Sequence, residues 1–179
     1  MTTFLKSYDD LIDFNRQSLA IAAVSIVFNP IFWNSVARMG ILRDLLFERA
    51  LREQPTLLLL STPVFRVFSY LLLAIGNTLV LASMWALGFT GTFLGDYFGI
   101  LKDDMVTGFP FNITDAPMYY GSTLNFLGIA IYYGKPAGII LTFEILIVYL
   151  LALRYEDPFT MEIYNKRERE RKTARGKEN

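Results

Sequence analysis

Three stretches of this chain carry no charged residue, 17–37, 67–95 and 116–134, and in a fourth, from Pro136 to Leu153, Glu144 is the one interruption. About twenty apolar residues wound as a helix cross the hydrocarbon core of a bilayer, where every backbone polar group must be satisfied inside the fold. Runs of this kind confine the chain to a helical membrane architecture. Composition agrees: of 179 residues 53% are hydrophobic, 15% aromatic and only 19% charged, far from an average soluble domain. The N-terminus is not read as a cleavable signal, because Asp9, Asp10 and Asp13 precede the first apolar run and no basic n-region stands before it.

The expected fold is all-α, a polytopic helical membrane protein forming a single membrane-embedded domain over residues 1–179. Its two clearest spanning helices cover about 67–94 and 136–153. An N-terminal helix over about 18–37 spans or re-enters, since Asn29-Pro30 and Asn34 would break or bend it. Arg38, Arg43, Arg49, Arg52 and Arg66 alternate with Asp44, Glu48 and Glu53, which reads as a short surface helix ending near Gln54-Pro55. A loop with Lys102, Asp103, Asp104 and Asp115 follows the first long helix, and a charged tail, 158–179, follows the last. Basic segments stay on the cytosolic face, so the arginine-rich segment and the tail are placed in the cytosol and the acidic loop in the lumen. On this topology the helix starting near Val67 leaves the cytosol and the one ending at Leu153 returns to it, so their ends are neighbours. A cleft between them would hold Ala74-Ile75-Gly76, about 10–15 Å inside the first helix, and Glu156-Asp157 just past the second.

The chain has no Cys and no His. Disulfides, thiolate nucleophiles, Cys/His zinc sites and imidazole bases are excluded, leaving carboxylates, Lys, Tyr and positioning to do any chemistry. The formal net charge is zero, so no global field recruits nucleic acid. The adjacent carboxylates Glu156 and Asp157 stand where the last apolar stretch leaves the membrane, at a depth where they can hold a cation or a ribose diol. On spacing alone such a pair is most often a solvated helix end or a partner for Arg154, and Ala74, Gly76, Gly88 and Gly91 are most often packing surfaces. Tyr119, Tyr120, Tyr97 and Trp85 could face a cation through their rings, although aromatics near helix ends usually form an interfacial belt. Glu144, isolated in an apolar helix, is either paired with a base or protonated.

Five blocks resemble, in order, those of the phosphatidylethanolamine N-methyltransferase family: Phe28 to Asn34, Leu87 to Ile100, Val106 to Asn112, Pro117 to Thr123 and Tyr155 to Thr160. Leu51-Arg52-Glu53-Gln54-Pro55-Thr56 is similar to its fungal branch. The resemblance implies an enzyme of the endoplasmic reticulum membrane, with mitochondrial membranes a second location, multi-pass with a cytosolic C-terminus. It would use S-adenosyl-L-methionine as methyl donor, without a metal, to convert monomethylated and dimethylated ethanolamine phospholipids to phosphatidylcholine. Its partners would be the phospholipid and the membrane, with no nucleic acid. Family members bind the cofactor through a Gly-x-Gly in a membrane helix and a Glu-Glu pair after the last one; these fall on Ala74, Ile75, Gly76 and on Glu156, Asp157. Both depart from the pattern, by one methyl at Ala74 and one methylene at Asp157. Glu156 is the candidate for a catalytic or cofactor contact.

Methyl transfer from a sulfonium to an amine is an in-line displacement, so the protein has to position two reactants, exclude water and accept a proton. Relatives carry a further apolar segment where this chain has only the junction between Met39 and Gly40. The alternative reading is therefore a noncatalytic lipid- or partner-binding member that lacks one membrane segment. A transporter subunit is disfavoured by the scarcity of polar residues in the apolar runs.

Overall fold

The computed structural model describes residues 12–32, 37–93 and 105–175, and over these the protein is helical, without a strand. The helices are α1 (Gln17–Phe32), α2 (Ala37–Arg52), α3 (Pro63–Phe93), α4 (Pro117–Tyr132) and α5 (Pro136–Arg175), with a short 3-10 turn at Leu58–Ser61 before α3. Three of them begin on a proline, Pro63, Pro117 and Pro136, where the ring fixes a helical φ and the missing N–H would have had no helical partner. Two segments are long and apolar enough to cross a membrane, Pro63–Gly88 and Pro136–Thr173. The two expected spanning helices are thus present.

Two expectations change in detail. α3 is kinked at Gly88, whose φ of 70° and ψ of 173° lie outside helical space, a region open essentially to glycine. α1 runs through Asn29-Pro30 to Phe32 and covers only 16 residues, about 24 Å at 1.5 Å per residue, short of a bilayer core. α2 then folds back along it, with Ser18 Oγ donating to Glu53 at 2.6 Å. The Met39–Gly40 junction falls inside a continuous α2.

α2 ends just before Gln54-Pro55, as expected, and one of its faces is buried. Arg43, Phe47, Ala50 and Leu51 form a helical stripe that is buried, while the charges on the opposite face pair along the helix, Glu48 with Arg52 at 2.6 Å and Arg49 with Glu53 at 3.7 Å. The stripe completes a core with Ala22 and Ile26 of α1, Phe126 of α4 and Leu141, Ile145 and Tyr149 of α5.

The largest difference is α4, in the charge-free stretch 116–134, where no spanning helix was expected. Its Gly, Ser and Thr content gives weak helical propensity, and contact with α3 supplies what propensity does not. A Cβ on Gly76 would sit 2.6 Å from the Gly121 carbonyl oxygen, one on Gly121 2.8 Å from that of Gly76, and one on Gly128 2.9 Å from Leu73. Glycines meeting in this way let two helices approach to backbone contact. Gly134 then turns the chain into α5 at φ 65°. Gly134 N–H donates to Ile131 O at 2.9 Å and Lys135 N–H to Ala130 O at 2.9 Å, the paired bonds of a glycine-ended helix.

With α4 between them, α3 and α5 run parallel, not antiparallel. Ser69 of α3 lies at Gly128 and Gly76 at Gly121; on α5, Gly138 lies at Ala130 and Glu156 at Tyr119. The start of α3 therefore lies beside the α4–α5 turn, where Leu57 N–H reaches Gly134 O at 2.8 Å, and Glu156 lies at the far end. The expected cleft between the start of α3 and the end of the last spanning helix does not form. The arginines divide likewise: Arg49, Arg52 and Arg66 stand near the turn, and Arg43 toward the Glu156 end, on Tyr149. In the tail, Lys172 lies 2.7 Å from Glu168 and holds that carboxyl below its ordinary range through the hydrogen bond and the charge.

Candidate functional site

At the Glu156 end, α2, α4 and α5 bring together polar side chains that are distant in sequence. The Tyr119 hydroxyl donates to Glu156 Oε2 at 2.5 Å. The Tyr119 ring meets Tyr149 edge to face, with centroids 4.6 Å apart. The Tyr149 hydroxyl in turn accepts a hydrogen bond from Arg43 Nη1, whose Nε and Nη2 donate to Asp44 Oδ1 at 2.9 and 2.7 Å. The Arg43 guanidinium also lies 4.7 Å from the centroid of Phe126. Glu156 itself is half-buried.

A carboxylate held by a phenol beside aromatic rings is chemically suited to a sulfonium or an ammonium: the charge attracts the cation, and ring faces add about 0.5–2 kcal/mol. The donor set at Glu156 thus fits the cationic part of S-adenosylmethionine. Asp157 follows Glu156 in α5, and its side chain lies outside the described residues, as do Tyr97, Trp33, Asn34 and the rest of the 94–100 block. Tyr120 is exposed beside Tyr119. Trp85 is 91% exposed on the outer face of α3 and belongs to no ring pair among the described residues.

Ala74, Ile75 and Gly76 stand on α3, against the other flank of α4. Gly76 presses its α-carbon against Gly121 and Asn125, while Ala74 and Ile75 are exposed on the open side of α3. Residues two apart on a helix point about 200° apart, so Gly121 and Tyr119 face opposite flanks of α4. Gly76 and Glu156 consequently stand at nearly the same height with the width of α4, about 10–12 Å, between them. The extra methyl of Ala74 points away from the α3–α4 contact and obstructs nothing there. Glu144 is half-buried and has no hydrogen bond or ion pair among the described residues.

Sequence reasoning missed Arg43 and Tyr149. Their signals were present: Arg43 shares the apolar stripe of Phe47, Ala50 and Leu51, and Tyr149 has the one hydroxyl-bearing ring between Pro136 and Leu153.

Fold and site define an integral membrane protein built of helices, with a carboxylate and aromatic rings gathered at one end of its bundle. The family model described as phospholipid methyltransferase matches residues 64–167. The chain is 50% identical to the phosphatidyl-N-methylethanolamine N-methyltransferase of Neurospora crassa, over 93% of this chain and 92% of that protein. It is 50% identical to that of Emericella nidulans over 98% and 100%, and 45% identical to that of Saccharomyces cerevisiae over 90% and 92%. No solved structure matches it. The chain belongs to the phospholipid methyltransferase family. The Neurospora match runs over 196 positions yet takes up 93% of a 179-residue chain. About thirty positions of that relative therefore have no counterpart here, enough for one membrane-crossing helix and a turn.

Proposed function

We propose that this protein methylates the nitrogen of phosphatidyl-N-methylethanolamine and phosphatidyl-N,N-dimethylethanolamine, ending in phosphatidylcholine, with S-adenosylmethionine as the donor. The observation that carries the reading is identity at half of the aligned positions, along nearly the whole chain, to fungal proteins named for methylating the monomethylated lipid. When bound, S-adenosylmethionine supplies an electrophilic methyl group on a sulfonium.

The chain's own residues supply the rest. Glu156 attracts the cation, and the Tyr119 hydroxyl on its Oε2 fixes the direction in which the free carboxylate oxygen points. A carboxylate at this position can also take the proton that the lipid ammonium must lose before its nitrogen becomes a nucleophile. Asp157 holds the ribose hydroxyls. Of the Ala74-Ile75-Gly76 motif, Gly76 bears on this site through α4: the Gly76–Gly121 crossing sets the height of Tyr119 beside Glu156. The apolar surround excludes water from the reacting atoms. Glu156 and the basic tail share one end of the bundle, and we assign that end to the cytosol, where a soluble cofactor enters while the lipid headgroup arrives from the bilayer. The membrane is that of the endoplasmic reticulum.

Membranes containing only this chain should transfer labelled methyl to the monomethylated and dimethylated lipids and little to the unmethylated one. Glu156→Ala should abolish cofactor binding. Absence of product from every lipid, with the protein inserted, would leave a noncatalytic member lacking a membrane segment; normal turnover by Glu156→Ala would remove the site assignment alone.

A further inference from the structure

Arg43 is the residue that the proposed chemistry leaves without a task. It is only 7% exposed, in a helix packed against membrane-spanning α5. A buried guanidinium is costly, and well-packed apolar residues of similar volume usually serve stability as well or better. Packing alone therefore does not account for it. Its donors are directed: Nε and Nη2 are taken by Asp44, which leaves Nη1 to grip the Tyr149 hydroxyl, 106 residues along the chain. Tyr149 is itself buried, at 5% exposure, and its ring forms the wall against which Tyr119 rests. Tyr119 ends on Glu156.

We infer that Arg43 is a positioning residue for Glu156, acting from α2 through the Tyr149 hydroxyl and the Tyr149–Tyr119 ring contact, so that affinity for the sulfonium-bearing donor is set by a helix that does not touch it. The inference rests on the reading of Glu156 as a cofactor contact. Asp44 and Phe126 hold the guanidinium from its two other sides, so the Arg43–Tyr149 bond has one geometry. Loss of that bond removes the guanidinium from the Tyr149 hydroxyl, so the ring resettles within its core position, Tyr119 follows its wall, and the Glu156 carboxylate loses its fixed direction. Lysine cannot replace this arrangement, because an ammonium has no planar fork with which to bridge Asp44 and Tyr149.

The test compares Arg43→Met, Arg43→Lys, Tyr149→Phe and Glu156→Gln in the full-length protein, purified in lipid nanodiscs. KM for S-adenosylmethionine, KM for the monomethylated lipid, kcat and thermal unfolding are measured for each. Arg43→Met and Tyr149→Phe should each raise KM for S-adenosylmethionine roughly tenfold, the size of one buried hydrogen bond, with lipid KM unchanged and the melting temperature lowered by only the few degrees that losing one such bond costs. Arg43→Lys should recover only part of the loss. Arg43→Met combined with Glu156→Gln should cost less than the product of the two single effects, as expected for groups acting as a unit. A purely structural Arg43 would lower the melting temperature and leave the KM of the folded fraction untouched, and that result overturns the inference. If Arg43→Met does not fold, Tyr149→Phe, which keeps the ring and its packing, decides by the same readouts. Normal S-adenosylmethionine binding by Glu156→Gln and Glu156→Ala would overturn the reading of Glu156 beneath it. Loss of binding in the Glu156 variants with normal binding in Arg43→Met and Tyr149→Phe would overturn this inference alone.

Discussion

Gly76→Ala separates two roles that a glycine in a membrane-helix motif can have, close packing and direct contact with a cofactor. The added Cβ would lie 2.6 Å from the Gly121 carbonyl oxygen and 2.4 Å from Asn125 Oδ1. Asn125 is a side chain and can turn away; the Gly121 carbonyl is backbone and cannot. An acceptable carbon–oxygen separation is about 3.3–3.6 Å, so α3 and α4 must part by about 0.7–1.0 Å at this crossing. A gap of that size forfeits roughly a quarter to a half of the attraction of each contact it opens, and Leu79 and Val80 also face Gly121 here. Overpacking of this kind costs about 1–3 kcal/mol. At about 2–4 °C per kcal/mol for a chain of this length, the melting temperature in nanodiscs should fall by roughly 4–8 °C for the middle of that range. Cofactor affinity should weaken only as far as Tyr119 is displaced from Glu156. An unchanged melting temperature together with lost S-adenosylmethionine binding would refute the packing argument and make Gly76 a direct cofactor contact.

Two further perturbations test the end of the bundle remote from Glu156, both read by thermal unfolding. Gly134→Ala forces a side chain onto a φ of 65° and brings its Cβ to 2.9 Å from Ser61 Oγ; backbone strain alone should cost about 1–2 kcal/mol, and an unchanged melting temperature would mean the α4–α5 turn does not require the left-handed conformation. Gln54→Ala removes an amide that is 3% exposed and that accepts from Asp13 N–H at 2.8 Å and donates to Asp13 O at 2.9 Å. Leaving those groups unpaired should cost about 1–3 kcal/mol with kcat unchanged, and a loss of activity greater than the loss of folded protein would contradict a purely structural latch.

Much of the architecture was legible in local pattern. Charge-free runs of helical length announce membrane helices whatever they pack against, and α2 was visible as a helix that stops before Gln54-Pro55. Its buried face was obscured because Asp44, Glu48, Arg49 and Arg52 dominate its composition, although Arg43, Phe47, Ala50 and Leu51 keep helical spacing. α4 occupies the charge-free run 116–134, where no spanning helix was expected; Gly121, Ser122, Thr123 and Gly128 are poor helix formers judged alone. They become favourable only when α3 is present to be approached closely. Once α4 is in place the direction of α5 reverses relative to expectation, and a topology argued from charge changes with it.

By itself the sequence determined a helical membrane protein and its family. The hydrocarbon core admits few backbone solutions, so apolar runs of sufficient length declare themselves, and blocks such as Pro117 to Thr123 and Tyr155 to Thr160 carry the family resemblance. Only the tertiary structure decided that α4 stands between Gly76 and Glu156, that Tyr119 is the hydroxyl on that carboxylate, and that Arg43 reaches Tyr149 across 106 residues. These are relations between surfaces that meet only after folding. No periodicity within one segment encodes which face of another segment it will find.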